Sequence, residues 1–194
     1  MTHLKLFPLS LVSFPTKIVP LHIFEERYKS LILDCVNNQS EFGIIYKNDS
    51  GLAKFGCSMK VLDVVKKYSD GRMDVITKGI NIFKLNSQLL DGELLIGQVK
   101  YNESDIDINP DKFEILKDKY LKIMLMLGIT SNLDGHLKKV ISFELLEGIS
   151  LPSEFELMLI STGSESNRLK ILNEIFDKIL KNQFPIPDAS HFES

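Results

Sequence analysis

Cysteine is scarce in this chain of 194 residues, which contains only Cys35 and Cys57. The two lie far apart in sequence, and neither belongs to the paired spacing of a zinc-binding motif. A small fold held together by disulfides needs more cysteines than this. We therefore predict two buried, reduced thiols in a cytoplasmic protein.

Long apolar runs are also absent. No run reaches the roughly 18 apolar residues that a transmembrane helix requires. The densest apolar patch, residues 120–129, is too short and contains Lys122. The N-terminus, M-T-H-L-K-L-F-P, lacks the charged start, the unbroken apolar run and the cleavage site of a signal peptide. The sequence therefore predicts neither a membrane span nor a secretion signal.

A strong excess of charge of one sign is missing as well. The formal net charge is -3 and the pI is about 5.8, with an ordinary globular share of 44% hydrophobic and 25% charged residues. The longest basic runs are pairs, such as Lys66-Lys67, whereas nucleic-acid-binding proteins usually carry a basic stripe. Binding to anionic lipid is disfavoured for the same reason. We expect no nucleic-acid partner and no membrane partner.

Recognisable catalytic and metal-binding patterns are missing too. The sequence contains no G-x-x-x-x-G-K-S/T phosphate loop. His22 and Glu25 form an H-x-x-E pair, but two ligands do not make a metal site, so His22 is interpreted as a hydrogen-bonded structural histidine. Residues 162–166 (T-G-S-E-S) lack the second glycine of a serine elbow and are interpreted as a helix cap. We predict a non-enzyme with no metal and no cofactor.

The first feature that is present is a proline-punctuated segment near the N-terminus. Pro8, Pro15 and Pro20 each fix their own φ and push the preceding residue toward extended geometry. Residues 4–21 are therefore predicted to be extended, and their many apolar side chains require burial. After Pro20 the apolar residues recur at helical spacing. They are Phe24, Tyr28, Leu31, Ile32 and Cys35. The sequence of this segment predicts an extended stretch followed by an amphipathic helix.

Short strand patterns follow between residues 42 and 101. Turn clusters separate them at residues 48–51, 69–72 and 91–92, and the last two contain Asp-Gly, the strongest short hairpin signal. Gly79 separates two further patterns and is interpreted as a strand end. Five or six antiparallel strands at such short spacing predict a curled sheet or a small pseudo-barrel.

The composition changes at residues 102–109, an acidic segment without periodicity that predicts a linker. Asn109 and Pro110 then open a helix as N-cap and first-turn residue. Three further helices are predicted, one over residues 137–148, one over 152–160 and one from about residue 169, before a frayed tail from Phe184. The chain is therefore predicted to be α+β, with a β-rich domain over residues 1–102 and a helical bundle over residues 110–183.

The N-terminal segment also carries a specific motif. The residues that match the pattern of a known protein family are Leu4, Leu6, Phe7, Pro8, Leu9, Val12, Phe14, Pro15, Pro20, Leu21, His22, Ile23, Phe24, Glu25, Arg27 and Tyr28. Later matches are Phe42-Gly43-Ile44, Gly56-Cys57, Asp70-Gly71-Arg72, Gly79, Phe83, residues 94–101, Leu151-Pro152 and Arg168-Leu169. This pattern resembles the LON substrate-binding domain, the N-terminal domain of ATP-dependent Lon proteases, and the resemblance spans nearly all of the chain.

The sequence departs from the family pattern at a few positions that we expect to leave the fold intact. Thr16 stands where the family has Gly, Glu26 where it has Pro, and Ile82 where it often has Arg. Residues 155–161 lack the family's D-K-Q and L-L-E pattern. The resemblance implies an N-terminal antiparallel sheet of the PUA-like type with one helix, followed by a C-terminal helical bundle. These residues leave no room for an ATPase or a Ser-Lys protease domain, so a free-standing LON domain is expected.

The resemblance implies a non-catalytic module that binds unfolded or degron-bearing proteins, and it leaves a protease partner open. The expected peptide contacts are Phe24, Arg27 and Tyr28 at the start of the first helix and Phe83 from the sheet, in a groove between the two halves. An ion pair between Glu25 and Arg27 fits either a structural or a binding role. Two alternatives stay open: a PUA-like reader of small molecules or RNA, and an adaptor that docks on a protease or on itself.

Overall fold

The computed structural model describes residues 2–102 and 109–182. The chain divides into two compact units, Met1–Asn102 and Glu103–Ser194. In the described residues, the first unit holds the strands and one long helix, and the second holds the other helices. We call them the sheet unit and the helical unit, and each is described by itself. Residues 103–108, most of the predicted linker, and the predicted tail from Phe184 lie outside the described residues.

The strands of the sheet unit form one closed ring with an extra strand added to it. They are β1 (Thr2–Leu9), β2 (Ile18–Ile23), β3 (Phe42–Asn48), β4 (Gly51–Lys67), β5 (Met73–Asp91) and β6 (Leu94–Tyr101). The ring runs β5-β4-β3-β1-β6 and closes because β6 pairs back with β5, while β2 pairs with the first part of β5. All pairs are antiparallel except β1 with β3. The ring confirms the predicted antiparallel pseudo-barrel and adds a parallel pair that was not predicted.

The alternating direction of the side chains along β1 shows which of its residues fill the interior of this ring. Leu4 and Leu6 are buried in an apolar cluster with Ile45, Phe83 and Val99. Successive side chains of a strand point to opposite faces, so residues 5 and 7 lie on the outer face. Burying a side chain such as Leu6 completely contributes roughly 1.5–3 kcal/mol to folding. The interior of the sheet unit is therefore held together by apolar burial.

The single helix of the sheet unit, α1 (Glu26–Asn38), packs on this outer face of β1. The rings of Phe7 and Tyr28 stack with their centroids 3.8 Å apart, and Lys5 Nζ lies 2.7 Å from Asp34 Oδ2. The helix ends at Gln39, which has a φ of 51° and donates its backbone N–H to the Cys35 carbonyl. This confirms the amphipathic helix predicted after Pro20, but the place of Phe24 in its buried stripe was predicted wrongly, because Phe24 precedes the helix and is exposed.

Strand β5 is continuous through Gly79, so the predicted strand end at this glycine is wrong. A Cβ at position 79 would lie 2.0 Å from the Phe14 carbonyl oxygen. The backbone between β1 and β2 crosses here, because Thr16 N–H donates to the Gly79 carbonyl and Gly79 N–H donates to the Lys17 carbonyl, each at 2.9 Å. The glycine is therefore needed for a close approach of two chain segments and does not end the strand.

The helical unit contains α2 (Pro110–Met126), α3 (Leu133–Leu137), α4 (Ser153–Ser161), α5 (Glu165–Leu180) and a 3-10 helix (Ser142–Leu146). Asn109 caps α2 as predicted, since its Oδ1 accepts the Lys112 backbone N–H at 3.1 Å. Helices α2 and α5 are joined by Lys119 Nζ, which lies 2.5 Å from Asp177 Oδ1 and donates to Asn173 Oδ1 at 2.8 Å. This arrangement confirms the predicted C-terminal helical bundle.

The helix predicted over residues 137–148 is wrong, because α3 and the 3-10 helix are separate elements. Between them, the Glu144 carboxylate accepts the backbone N–H groups of Val140 and Ile141 at 2.7 and 3.2 Å. Ile141 is extended, with a φ of -128° and a ψ of 155°. These side-chain bonds compete with the helical hydrogen bonds that the apolar periodicity alone would favour.

Candidate functional site

The predicted contact residues Phe24 and Arg27 lie on the surface where α1 begins. Phe24 precedes the helix and leaves 61% of its surface exposed. Its nearest aromatic neighbour is the His22 ring, with centroids 6.2 Å apart. A phenylalanine this exposed adds apolar surface that another molecule can bury. The short step from β2 through residue 24 into α1 therefore presents an aromatic side chain to solvent.

Arg27 is held in place by Glu25. The guanidinium donates from Nε at 2.9 Å and from one terminal nitrogen at 2.5 Å to the same Glu25 carboxylate oxygen. This hydrogen bonding, with the charge of the carboxylate, raises the pKa of the Arg27 guanidinium. The other terminal nitrogen of Arg27 reaches the Glu93 carbonyl at 3.5 Å, at the turn between β5 and β6. Both charged groups remain more than one-third exposed, so they stay accessible to a ligand.

A depression of about 570 Å³ lies beside this pair, and we call it the α1 depression. Its lining residues are Glu25, Glu26, Arg27, Leu90, Gly92 and Glu93. Leu90 leaves 71% of its surface exposed, and Phe24 is the chain neighbour of Glu25. The α1 depression therefore combines one exposed apolar side chain, that of Leu90, with three carboxylates and one guanidinium, and the exposed Phe24 precedes its lining residue Glu25 in the chain. It offers apolar contact area and hydrogen-bonding groups, and no arrangement of a nucleophile beside a base.

Tyr28 and Phe83, the other two predicted contacts, are buried. Tyr28 is 7% exposed, stacks on Phe7 and lies under the Arg27 guanidinium, 4.8 Å from the ring centroid. Phe83 is fully buried in the ring of strands, where a Cβ at Gly56 would lie 2.5 Å from its Cζ. In this conformation neither side chain offers surface to a docked peptide. The structure thus brings Arg27 and Tyr28 together and keeps Phe83 in the core.

His22 belongs to a hydrogen-bonded cluster on the neighbouring surface. Its Nδ1 lies 2.5 Å from Asp74 Oδ1, and the Tyr68 hydroxyl donates to Asp74 Oδ2 at 2.7 Å. The hydrogen bond from His22, followed by that from Tyr68, lowers the pKa of Asp74. His22 therefore pairs with Asp74 and not with Glu25 of the H-x-x-E spacing, which confirms that it is hydrogen-bonded, whereas its structural role stays a prediction. Within residues 2–102 and 109–182, no group of three or more His, Cys, Asp or Glu side chains could hold a metal ion.

Sequence reasoning missed the contribution of the turn between β5 and β6. Leu90 and Glu93 flank the Asp91-Gly92 pair, which was interpreted only as a hairpin turn. Two adjacent leucines, Leu89 and Leu90, beside such a turn are unusual because hairpin tips are exposed. That apolar pair was the available signal for an exposed apolar side chain beside α1.

Comparison with known proteins gives one family and one fold. The model of the ATP-dependent protease La (LON) substrate-binding domain matches residues 3–176. A Lon N-terminal domain protein from Xanthomonas campestris is 24% identical, with a TM-score of 0.72 over 90% of this chain and 98% of that chain. The N-terminal domain of Lon protease from the Mycobacterium avium complex is 12% identical, with a TM-score of 0.75 over 91% and 98% of the two chains. Both structural likenesses support the observed α+β fold.

None of the helices in the described residues combines the length and the apolar character that crossing a bilayer requires.

Proposed function

Since the chain belongs to the ATP-dependent protease La (LON) substrate-binding domain family, we propose that it binds exposed apolar segments of other proteins without acting on them chemically. The family is named for the substrate-binding part of Lon and not for its catalytic part. The proposed substrates are unfolded or degron-bearing proteins, which a partner protease would degrade. Both cysteines are buried free thiols, which supports a reducing, cytoplasmic location.

One observation carries this proposal: the α1 depression is flanked by large apolar side chains that the sheet unit does not bury. Phe24 and Leu90 leave 61% and 71% of their surfaces exposed, although the same unit buries most of its other aromatic residues. Exposed apolar side chains grouped around a concave surface are typical of protein-binding sites. We propose Phe24 and Leu90 as the apolar contacts and Arg27 as a donor to peptide carbonyl groups.

In this proposal Tyr28 and Phe83 are buried residues that support the site and do not contact the peptide. Tyr28 supports the Arg27 guanidinium through a cation–π contact, and Phe83 fills the ring of strands. Their truncation would weaken peptide binding by altering the sheet unit and not by removing a contact. Phe24→Ala and Leu90→Ala therefore test the site more directly than Tyr28→Ala or Phe83→Ala.

The experiment compares Phe24→Ala, Leu90→Ala and a matched control, Ile18→Ala, in binding a permanently unfolded, carboxymethylated model protein. Ile18 is also apolar and 51% exposed, but unlike Leu90 it does not line the α1 depression, and unlike Phe24 it is not next to a residue that does. Truncating a central aromatic contact costs about 2 kcal/mol or more, so Phe24→Ala should weaken binding by more than about tenfold. Fluorescence anisotropy gives the affinity, and circular dichroism checks the fold. Equal affinities for all variants, with the fold intact, would contradict the placement of the site.

A nucleotide arm of the same experiment addresses the alternative of a small-molecule or RNA reader. The α1 depression is lined by Glu25, Glu26 and Glu93, and such carboxylates disfavour a phosphate group. We expect nucleotides to leave the melting temperature unchanged and the unfolded model protein to bind. A rise in melting temperature with nucleotide, without binding of the unfolded protein, would favour the alternative.

A further inference from the structure

The second half of β4 has a strand partner on one side only. Residues 60–67 pair with β5, whereas the pairing of β4 with β3 stops at Met59, opposite Phe42. Among the described residues, no strand pairs with the other edge of this segment. Backbone N–H and C=O groups along an unpaired edge are available to another extended chain.

Helix α1 forms the opposite wall of a groove along this edge. A cavity of about 330 Å³ is lined by residues 60–64 of β4 and by Cys35, Val36, Gln39 and Ser40 at the end of α1. Farther along, Lys29 Nζ of α1 donates to the Asp70 carbonyl at 3.0 Å, just beyond β4. The helix and the strand therefore run side by side in opposite directions. We call the space between residues 33–40 and residues 60–67 the α1–β4 groove.

Exposed apolar side chains lie in this groove and next to it in the chain. Leu62 lines the cavity and is 52% exposed, and Val65 follows it on the strand at 60%. Register shifts between β4 and β5 leave both residues without a β5 partner, and such bulges re-aim side chains. On α1, Leu33 is 40% exposed and lies three residues before Val36, on the same helix face. The edge therefore offers apolar contacts as well as backbone groups.

Charge determines which partner fits the groove. Residues 60–67 carry Lys60, Lys66 and Lys67 against a single acidic residue, Asp63, and the one acidic residue of the helix wall, Asp34, is paired with Lys5. Pairing this edge with the same edge of a second copy would bring lysines together, and lysines on edge strands discourage self-association. An acidic strand would meet complementary charge instead.

We propose that the α1–β4 groove binds an extended, acidic and apolar segment of a partner protein as an additional β-strand beside β4. This mode supplies backbone hydrogen bonds for affinity and alternate side chains for specificity. The groove is lined by the end of α1, whereas the α1 depression lies at its start, and a helix of 13 residues is about 20 Å long. The inference is therefore independent of the function proposed for the α1 depression.

The test uses three synthetic peptides and the isotope-labelled chain, observed by NMR. The first peptide is acetyl-(Val-Glu)5-amide, the second replaces each Glu with Lys, and the third is the first peptide with every backbone nitrogen methylated. We expect the Val-Glu peptide to shift the signals of Leu33, Val36, Leu62 and Val65 and to protect amides of residues 60–67 from exchange. The Val-Lys peptide should bind at least about tenfold more weakly, and the methylated peptide should not bind.

A charge-reversal variant makes the test specific to this edge. Lys66→Glu with Lys67→Glu should invert the preference so that the Val-Lys peptide binds more tightly. The matched control, Lys54→Glu with Lys100→Glu, makes the same charge change at exposed strand positions outside the groove and should leave the preference unchanged. Equal binding of the charged peptides, undiminished binding of the methylated peptide, or no shift in the groove would overturn the proposal. So would protection of residues 60–67 that grows with protein concentration in the absence of peptide, because a second copy would then be the occupant.

Discussion

The helical unit buries a complete ion pair, whereas the comparable pair of the sheet unit lies on the surface. Arg168 and Glu165 leave only 5% and 4% of their side chains exposed. Arg27 and Glu25 leave 38% and 39% exposed. The buried pair also binds Ser142, whose N–H and hydroxyl donate to the Glu165 carboxylate at 2.5 and 2.8 Å. One pair ties the 3-10 helix to α5, and the other lines a depression open to solvent.

The two pairs differ in how much they are expected to contribute to stability. Removing one partner of a buried pair leaves an uncompensated charge in the interior, which strongly destabilises a protein. An exposed pair contributes little to stability, so its groups can serve recognition at small structural cost. The core of the sheet unit is an apolar cluster that does not involve Arg27 or Glu25. The sheet unit can therefore present these charges to a ligand and still remain folded.

The largest expected effect comes from breaking the buried pair. Arg168→Met leaves Glu165 buried without its cation, and we expect the free energy of unfolding to fall by about 3–5 kcal/mol. The matched surface variant, Arg27→Met, should leave the urea midpoint nearly unchanged. Urea unfolding followed by circular dichroism measures both. Equal destabilisation by the two variants would contradict the comparison.

A double variant tests whether the uncompensated charge of Glu165 causes this loss of stability. With Glu165→Met added to Arg168→Met, neither charge of this pair remains, but the Ser142 N–H and hydroxyl lose their acceptor. Unsatisfied buried polar groups cost about 1–3 kcal/mol each. The double variant should therefore recover only part of the lost stability, whereas full recovery would show that Ser142 finds other partners.

A smaller effect is expected from steric crowding in the sheet unit. Gly79→Ala places a Cβ 2.0 Å from the Phe14 carbonyl oxygen, so the backbone between β1 and β2 must move. Such overpacking costs about 1–3 kcal/mol. The control in the helical unit is Gly163→Ala, because a Cβ there meets nothing within 4 Å. If thermal unfolding gave the same melting temperature for both variants, the close approach at Gly79 would not be rigid.

The smallest predicted effect depends on pH and concerns the exposed cluster beside Phe24. Hydrogen bonds from His22 and Tyr68 lower the pKa of Asp74 in the folded state. The resulting stabilisation is fully present above the ordinary carboxyl pKa of about 3.9 and is lost as the pH falls through the lowered value. Asp74→Asn should therefore destabilise the protein at neutral pH and lose this effect in acid. Tyr68→Phe should show a weaker form of the same pH dependence.

Urea unfolding at a series of pH values checks this prediction. The account requires the wild-type and Asp74→Asn midpoints to converge as the pH falls below the ordinary carboxyl range. A difference of constant size across the whole series would contradict the assigned role of Asp74.

Local signals in the sequence predicted much of the fold. The Asn109 cap, the Asp-Gly turns and the apolar spacing of α1 each act within a few residues, and the structure contains all three. The missed features depend on distant residues. Strand β5 continues through Gly79 because residues 14–17 cross there, and the helix predicted over residues 137–148 breaks at contacts with Glu144. Periodicity carries no information about such partners.

The residues of the candidate site could likewise be predicted from the sequence only in part. The N-terminal motif identified Phe24 and Arg27, and the structure places both on the surface at the start of α1. The motif did not distinguish these residues from Tyr28 and Phe83, because apolar residues in one pattern can face the solvent or the core. Glu93, whose carbonyl approaches Arg27, is 66 residues away in sequence. The pairing of β5 with β6 forms that turn, and β6 also pairs with β1, on which α1 packs.

The most direct test of the proposed function is an NMR titration of the isotope-labelled chain with the unfolded, carboxymethylated model protein. The account predicts that the signals of Phe24, Arg27, Leu90 and Glu93 shift together and saturate, while those of Arg168 and Ser142 stay in place. Binding that leaves the α1 depression unperturbed, or no binding at all, would contradict it.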